Sequence, residues 1–388
     1  MAKNSRIGKY VKVSITSEPY QAYVPAPLPF SPILNMETLQ PLLDKANHSL
    51  GKLDNIISLL PDITLLLYFY LRKEALLSSQ IEGTQSSFND LLMYESKQTQ
   101  NVPIDDIEEV VHYIAAMNHG LNRMANDFPL SLRLIKEIHA ILLCGGRGSN
   151  KQPGEFRSSQ NWIGGTRPGN AAFVPPPPDK VTECMGNLEF YLHDKYGKFP
   201  TLIKAAISHV QFETIHPFLD GNGRTGRLLI TFLLCAEGLL QKPALYLSLY
   251  FKKHRKTYYE LLNRTRDDAT GWEAWVEFFL EGVTETAEET IISTKRIVAL
   301  FDEDRTKIKT LKRAMPGVLK AFEYLQRKAL VTIPNLAHAM KVSQPTATAA
   351  LKNLAELGIV KEVSGKKRDK LFSYEAYLNI IAQDTEPL

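Results

Sequence analysis

Cysteine is scarce in this chain. Cys144, Cys184 and Cys235 are the only three in 388 residues, far apart and without a CxxC pair. That argues against a disulfide framework and against a cysteine-built zinc site, and it fits a reduced, cytoplasmic setting. Long apolar runs are missing too. The most apolar stretches are interrupted by Pro61, Asp62 and Arg72, or by Glu237, whereas a membrane span needs roughly 20 uninterrupted apolar residues. They read as buried helices, so no membrane partner is expected. The first residues show no apolar h-region of a signal peptide. A global excess of charge is also lacking: the net charge is +4, with 44% hydrophobic and 23% charged residues, as in ordinary soluble proteins. The charge is uneven, however. Residues 312–371 hold 12 Lys and Arg against 4 Asp and Glu, a local +8 that leaves about −4 for the remainder. A basic module towards the C-terminal end is the consequence.

The length suits two or three domains. Residues 1–34 are proline-rich between Pro19 and Pro32 and read as an extended arm. Helical periodicity then runs from Met36 to Met93, with apolar Leu39, Leu42, Leu43, Ala46, Leu50, Leu53, Ile56 and Ile57 and a further helix over 63–78. Helices are expected over 105–124, 130–143, 180–196, 201–215, 224–237, 254–265 and 272–305. Residues 145–180 are dense in Gly, Pro, Ser and Asn. A loop of that length is either a solvated linker or an ordered functional loop. Trp162, Ile163, Phe173 and Val174 favour the second reading, as apolar anchors of a short hairpin over 161–174. From Met315 a helix, a tight turn, a second helix, a strand and the basic stretch SGKKRDKLF follow. They read as a helix-turn-helix with a basic wing whose core is Ala337, Val342, Ala347, Ala350, Leu351 and Leu354. The fold class expected is mainly α, with a short β-hairpin and a C-terminal winged helix-turn-helix domain.

The segment HPFLDGNGRTGR, His216 to Arg227, concentrates the chemistry. Pro217 stops the preceding helix, so His216 sits at a helix exit. Gly221-Asn222-Gly223 makes a turn whose backbone N–H groups can approach an anion closely. Arg224 opens the next helix, whose first N–H groups and dipole favour negative charge. Arg224 and Arg227 share a face and offer two guanidinium forks to two phosphates. Asp220 is placed to hold Mg²⁺ against them. Each part has a plainer reading: His216 as a cap, the glycines as a mere turn, the arginines as partners of acids. Their ordered combination is what singles the segment out.

The segment resembles the signature of Fic-domain proteins, HPFx(D/E)GNGRxxR, and matches it at every specified position. The stretches GEFR (Gly154–Arg157) and TRPGNAAFVPP resemble that family's loop and flap. The resemblance covers most of the chain. It implies a Fic-type helical core at 105–305, between an N-terminal part, 1–104, and the C-terminal winged-helix part, 306–388. It implies transfer of AMP from ATP to a hydroxyl of a target protein, self-modification included. His216 would be the general base, its pKa near 6.5 suited to neutral pH. Phe218 would pack inward and Asp220 would bind Mg²⁺. Gly221, Asn222, Gly223, Arg224, Thr225, Gly226 and Arg227 would hold ATP, Arg227 at the γ-phosphate. Tyr259 and Asn263, one helical turn apart, would flank the adenine, with a core role an equal alternative for Tyr259. Gly165, Thr166, Ala172, Phe173 and Val174 would form the flap that pairs edge-on with a target segment. A related phosphotransferase branch carries lysine at the position of Gly223, so Gly223 points to AMP transfer. A homodimer is a further implication.

A second acid is aimed at this site. In SSQIEG, Ser78 to Gly83, Ser78 and Glu82 are four apart on one helix face and Gly83 reads as the C-cap. An ordinary exposed glutamate is the plain alternative. The stretch also resembles the family's inhibitory pattern (S/T)xxxE(G/N), which implies that Glu82 pairs with Arg227 and takes the fork needed by the γ-phosphate. Two other readings stand: a bifunctional enzyme in which Glu82 also directs AMP removal, and a DNA-binding regulator whose Fic-like core only senses a nucleotide.

Overall fold

The computed structural model describes residues 6–14, 18–31, 34–58, 63–96, 104–145, 148–194, 197, 199–365 and 370–388. Two strands come first, β1 (Lys9–Val13) and β2 (Tyr20–Val24), paired antiparallel with Lys9 opposite Val24. The expected extended arm is therefore a hairpin. Its alternating residues Tyr20 and Ala22 cover Val174 of the loop, a partner about 150 residues away that no local pattern could announce.

The helices are α1 (Met36–Ser58), α2 (Ile63–Ile81), α3 (Phe88–Glu95), α4 (Ile104–Ala125), α5 (Leu132–Leu142), α6 (Pro178–His193), α7 (Thr201–Ile215) and α8 (Asn222–Ala236). They continue with α9 (Ser248–Lys253), α10 (Arg255–Asp267), α11 (Gly271–Lys309) and α12 (Met315–Lys328). The predicted periodicity over 36–93 resolves into α1, α2 and α3, the last set off by a capping box between Ser87 and Asp90. The helix foreseen over 63–78 continues to Ile81, which brings it to the edge of Glu82. Helix α9 was hidden by its six-residue length.

Position in the fold follows how much of each helix is buried. Every residue of α7 from Leu202 to Ile215 is buried, and α8 is buried from Arg224 to Leu234. Buried on every side, polar Lys204, His209, Gln211 and Glu213 of α7 included, these two helices form the middle of the bundle. Amphipathic helices surround them: α1 lies along α11, α5 along α4, and α2 against both α4 and α9. One contiguous apolar core extends from Leu28 to Ile381.

Past α12 come β3 (Leu330–Thr332), α13 (Ile333–Met340), α14 (Gln344–Glu356), β4 (Lys361–Glu362), β5 (Leu371–Ser373) and α15 (Glu375–Ile381). The strands form one antiparallel sheet in the order β3-β5-β4. Thr332 and Ser343 cap the two short helices, and Ala337, Ala347, Ala350, Leu351 and Leu354 are buried, with half-buried Val342 packed on them. The basic stretch expected between β4 and β5 lies partly outside the described residues, at 366–369. Packing crosses residue 306: Phe301 contacts Phe322, Tyr374 and Tyr377.

Close approach of α4 to α8 fixes the site helix. A Cβ added at Gly120 of α4 would lie 2.4 Å from the Phe232 ring of α8. Gly120→Ala is expected to destabilise the protein by about 1–3 kcal/mol through overpacking, measured as a lowered urea midpoint. An unchanged midpoint would show that the helices part without cost.

Candidate active site

Pro217 ends α7, and the chain turns at His216 in the left-handed region, φ 49°. Such a conformation in a non-glycine residue has to be held in place. Arg157 does so. Its Nε donates to the His216 carbonyl at 2.9 Å, one Nη donates to the Pro176 carbonyl at 2.5 Å, and its backbone N–H donates to Pro217 at 2.9 Å. Asn161 Nδ2 donates to the Phe218 carbonyl at 2.9 Å. Arg157 is only 2% exposed, and burial pulls its pKa down to about 10.

The imidazole Nδ1 of His216 lies 3.3 Å from the Glu213 carbonyl. A carbonyl can only accept, so Nδ1 carries the proton and Nε2 offers its lone pair. Burial pushes the His216 pKa down to about 4, Arg157 and Arg266 act in the same sense, and the Glu213 carbonyl and Glu82 oppose them. The value near 6.5 expected from sequence is thus corrected downward, because burial favours the neutral imidazole.

A second histidine escaped the sequence reading. His139 of α5 is fully buried and stacks on Phe218 with ring centroids 3.6 Å apart. Its Nδ1 accepts from the Gly154 N–H at 2.8 Å and its Nε2 donates to the Asp220 carbonyl at 2.9 Å. One neutral ring therefore ties GEFR to the turn before α8. Gly154 has φ 82°, and a Cβ there would sit 3.0 Å from Ala140, which is why glycine opens that motif.

Gly221, at φ 75°, precedes α8. The helix start leaves the N–H groups of Asn222, Gly223 and Arg224 without intrahelical acceptors, the arrangement that binds anions. The Asn222 side chain is spent elsewhere. Its Oδ1 accepts from Phe218 N and its Nδ2 donates to the Phe218 carbonyl, both at 2.8 Å, so only its backbone faces outward. Thr225 donates its hydroxyl to the Gly221 carbonyl, and a Cβ on Gly226 would fall 2.4 Å from Glu213 Oε1. These two serve the helix and its packing on α7. Asp220 is about a third exposed, with Oδ1 accepting from Gly221 N and 3.7 Å from Arg224. Arg224 is 3% exposed and sits 3.4 Å from Glu109 of α4, which also accepts from Thr84 at 3.2 Å. Glu82, His216, Asp220 and Gly221 to Arg224 line a cleft of about 200 Å³.

Arg227 does not open into that cleft. Its Nε donates to Ser78 Oγ at 2.8 Å, and Nη2 donates to the Ser78 carbonyl at 2.9 Å and to Glu82 Oε1 at 2.7 Å. Only 2% of its side chain is exposed, against 32% for Glu82. Burial opposes ionisation of Glu82, yet Arg227 outweighs it and holds the carboxyl below its ordinary range. Gly223 makes the contact feasible: a Cβ there would lie 2.2 Å from Glu82 Oε1. Gly83, at φ 104°, lets the chain leave α2 directly after the acid.

The flap is present as an Ile163–Phe173 bridge, turned through Gly164 and Gly165 and closed by Asn170, whose Oδ1 accepts from Thr166 N and Arg167 N at 3.0 Å each. Phe173 and Val174 are buried, with Arg266 3.7 Å above the Phe173 ring, while Ala172 is exposed. Trp162 and Ile163 are 39% and 38% exposed. As anchors they were misjudged, because β2 covers the other strand of the hairpin: Tyr23 N donates to the Val174 carbonyl at 2.8 Å. On α10, Tyr259 is 39% exposed, and the exposed Asn263 accepts from Arg266 at 2.9 Å.

A helical bundle, a glycine turn that opens α8 and the Ile163–Phe173 hairpin together set the class. Residues 40–122 match the sequence model of the Fic/DOC family N-terminal region, and residues 129–234 match that of the Fic/DOC family itself. Residues 129–234 are thus a Fic/DOC domain, preceded at 40–122 by the region that goes with it. A protein adenylyltransferase Fic of Aedes aegypti is 36% identical over 162 residues, and one of Culex quinquefasciatus 33% over 162 residues. Each alignment covers 41% of this chain and 29% of the relative, so the likeness spans under a third of those proteins. The crystal structure of a Fic family protein from Desulfovibrio desulfuricans shares the fold, with a TM-score of 0.56 at 21% identity over 88% of this chain and 97% of that one. Among the described residues no helix is long and apolar enough to cross a membrane.

Glu213, beneath Gly226, gives the site a pH signature. Burial raises its pKa to about 7, with Glu82 acting in the same sense and Arg227 and Arg266 opposing, and its Oε1 has no hydrogen-bond partner. A carboxyl raised in the folded state binds more protons there than when unfolded, so stability falls as pH rises between the unfolded value and about 7. Glu213→Gln is expected to reduce the fall in stability between pH 5 and pH 8 by on the order of a few kcal/mol, read from urea denaturation. Parallel curves for variant and wild type would contradict it.

Proposed function

We propose that the protein transfers AMP from ATP to a hydroxyl side chain of a target protein, itself included, and that Glu82 restrains it in cis. The observation that carries this reading is the Glu82–Arg227 ion pair of 2.7 Å at the rim of the cleft that His216, Asp220 and the α8 N-terminus line. The α8 N–H groups and Arg224 would take the α- and β-phosphates, and Arg227, once freed, the γ-phosphate. Tyr259 and Asn263 would flank the adenine.

His216 Nε2 accepts the hydroxyl proton of the target in this scheme. The oxygen attacks the α-phosphorus, the bond from that phosphorus to the bridging oxygen breaks, and pyrophosphate leaves with the bond electrons. The protein's work is alignment and charge stabilisation. No cluster of three or more His, Cys, Asp or Glu that could hold a metal occurs among the described residues. Mg²⁺ is commonly bound through one or two carboxylates plus substrate phosphates. Asp220 would be the protein ligand, and the ion would offset phosphate charge. The flap would offer an edge to an extended target segment.

The C-terminal unit favours a second reading for residues 306–388. Gln344, Thr346, Thr348 and Lys352 are exposed on α14, with exposed Lys341 just before it, an arrangement that suits a DNA groove. Binding to duplex DNA that weakens steeply with salt would support it, and no binding at low salt would remove it.

Glu82→Gly is expected to raise incorporation of label from α-labelled ATP, self-labelling included, and His216→Ala in that background to abolish it. Equal labelling by Glu82→Gly and wild type would overturn the restraint, and activity retained without His216 would remove it as the base.

A further inference from the structure

Helix α2 presents two faces to two different parts of the chain. One carries Ser78, next to Glu82, and meets Arg227. The other carries two buried donors, Lys73 and Gln80, which are 4% and 1% exposed. Their acceptors come from the segment that follows α15. Lys73 Nζ donates to the Gln383 carbonyl at 2.8 Å, and Gln80 Nε2 donates to the Thr385 carbonyl at 2.8 Å as well as to Ser86. Thr385 is 1% exposed. Lys252 of α9 donates to the Glu386 carbonyl, and Arg296 of α11 donates to the Gln383 side chain at 3.2 Å. Further along α2, Phe69 meets Tyr377 of α15 edge-on at 5.2 Å.

Buried donors deprived of their acceptors are costly, and an ammonium more so than an amide. The tail after α15 therefore completes the polar partners of α2, and Gln80 lies two residues from both Ser78 and Glu82. The last turn of α2 is thus tied on one side to Arg227, through Ser78 and the adjoining Glu82, and on the other to Thr385, through Gln80.

We propose that residues 382–388 form a clasp on the helix that carries Glu82, so that the C-terminal unit sets how firmly Arg227 is held. The proposal rests on the reading of Glu82 as a brake. It makes the brake a joint property of α2 and the end of the C-terminal unit, and an event that lifts the tail loosens Glu82 without touching the cleft.

The test compares the full chain, a variant lacking residues 383–388, Gln80→Leu with the tail intact, and Glu82→Gly. Hydrogen exchange of peptides covering residues 74–83 is followed alongside labelling from α-labelled ATP. The deletion and Gln80→Leu are expected to exchange about tenfold faster there, the scale of losing one or two buried hydrogen bonds, while α7 and α8 exchange as in wild type. Labelling by both should rise towards that of Glu82→Gly. Unchanged exchange over 74–83 in both variants, or acceleration spread evenly over the whole protein, would overturn the clasp. Where Glu82→Gly labels and the two clasp variants stay at the wild-type level, the clasp is overturned and AMP transfer stands. Where Glu82→Gly labels nothing, AMP transfer falls and the exchange data alone decide the clasp.

Discussion

A guanidinium that is 2% exposed must have acceptors, and the three hydrogen bonds of Arg227 to Ser78 and Glu82 are what the site is arranged around. Removing one partner from a buried charge pair costs far more than the pair gains over its solvated parts. Without Glu82 the guanidinium keeps its two bonds to Ser78 but has no counter-charge there, a role another anion can fill. A terminal phosphate is such an anion, with the bidentate geometry that a guanidinium favours. Gly223 belongs to this constraint, since any side chain there would meet Glu82 Oε1 at 2.2 Å.

Around that pair the backbone is fixed by side chains that touch no ligand position. Arg157 holds the His216 carbonyl, and His139 bridges Gly154 to Asp220. Phe218 is stacked on His139. Arg157 and His139 are polar groups buried against backbone atoms, so the turn between α7 and α8 is held by hydrogen bonds at several of its carbonyls. Preorganisation of this kind keeps an anion cradle from collapsing onto itself.

Much of this was legible from sequence, and the limits have physical causes. HPFLDGNGRTGR and SSQIEG are each contiguous and so stand out in the sequence, but that Arg227 meets Glu82, 145 residues away, followed only from the resemblance to the family's inhibitory pattern. The long helices followed from apolar periodicity and stop signals to within a few residues, as α4, α7 and α11 show. What escaped was whatever depends on distant partners. β1 and β2 form because Tyr20 and Ala22 have Val174 to cover. Nothing near α15 in sequence indicates that Tyr377 meets Phe69. His139 and Arg157 act on carbonyls about 60 to 80 residues away, which leaves no trace in spacing. Trp162 and Ile163 looked like anchors because hydrophobicity does not say which side of a hairpin will be covered.

The central claim is that Glu82 and a γ-phosphate compete for Arg227. Its most direct measurement is the affinity for ATP and for ADP, by calorimetry, in wild type and in Glu82→Gly. If the claim holds, the variant binds ATP more tightly than wild type does while its affinity for ADP changes little, because only ATP has the third phosphate. An equal change for both nucleotides, or none for either, would contradict it.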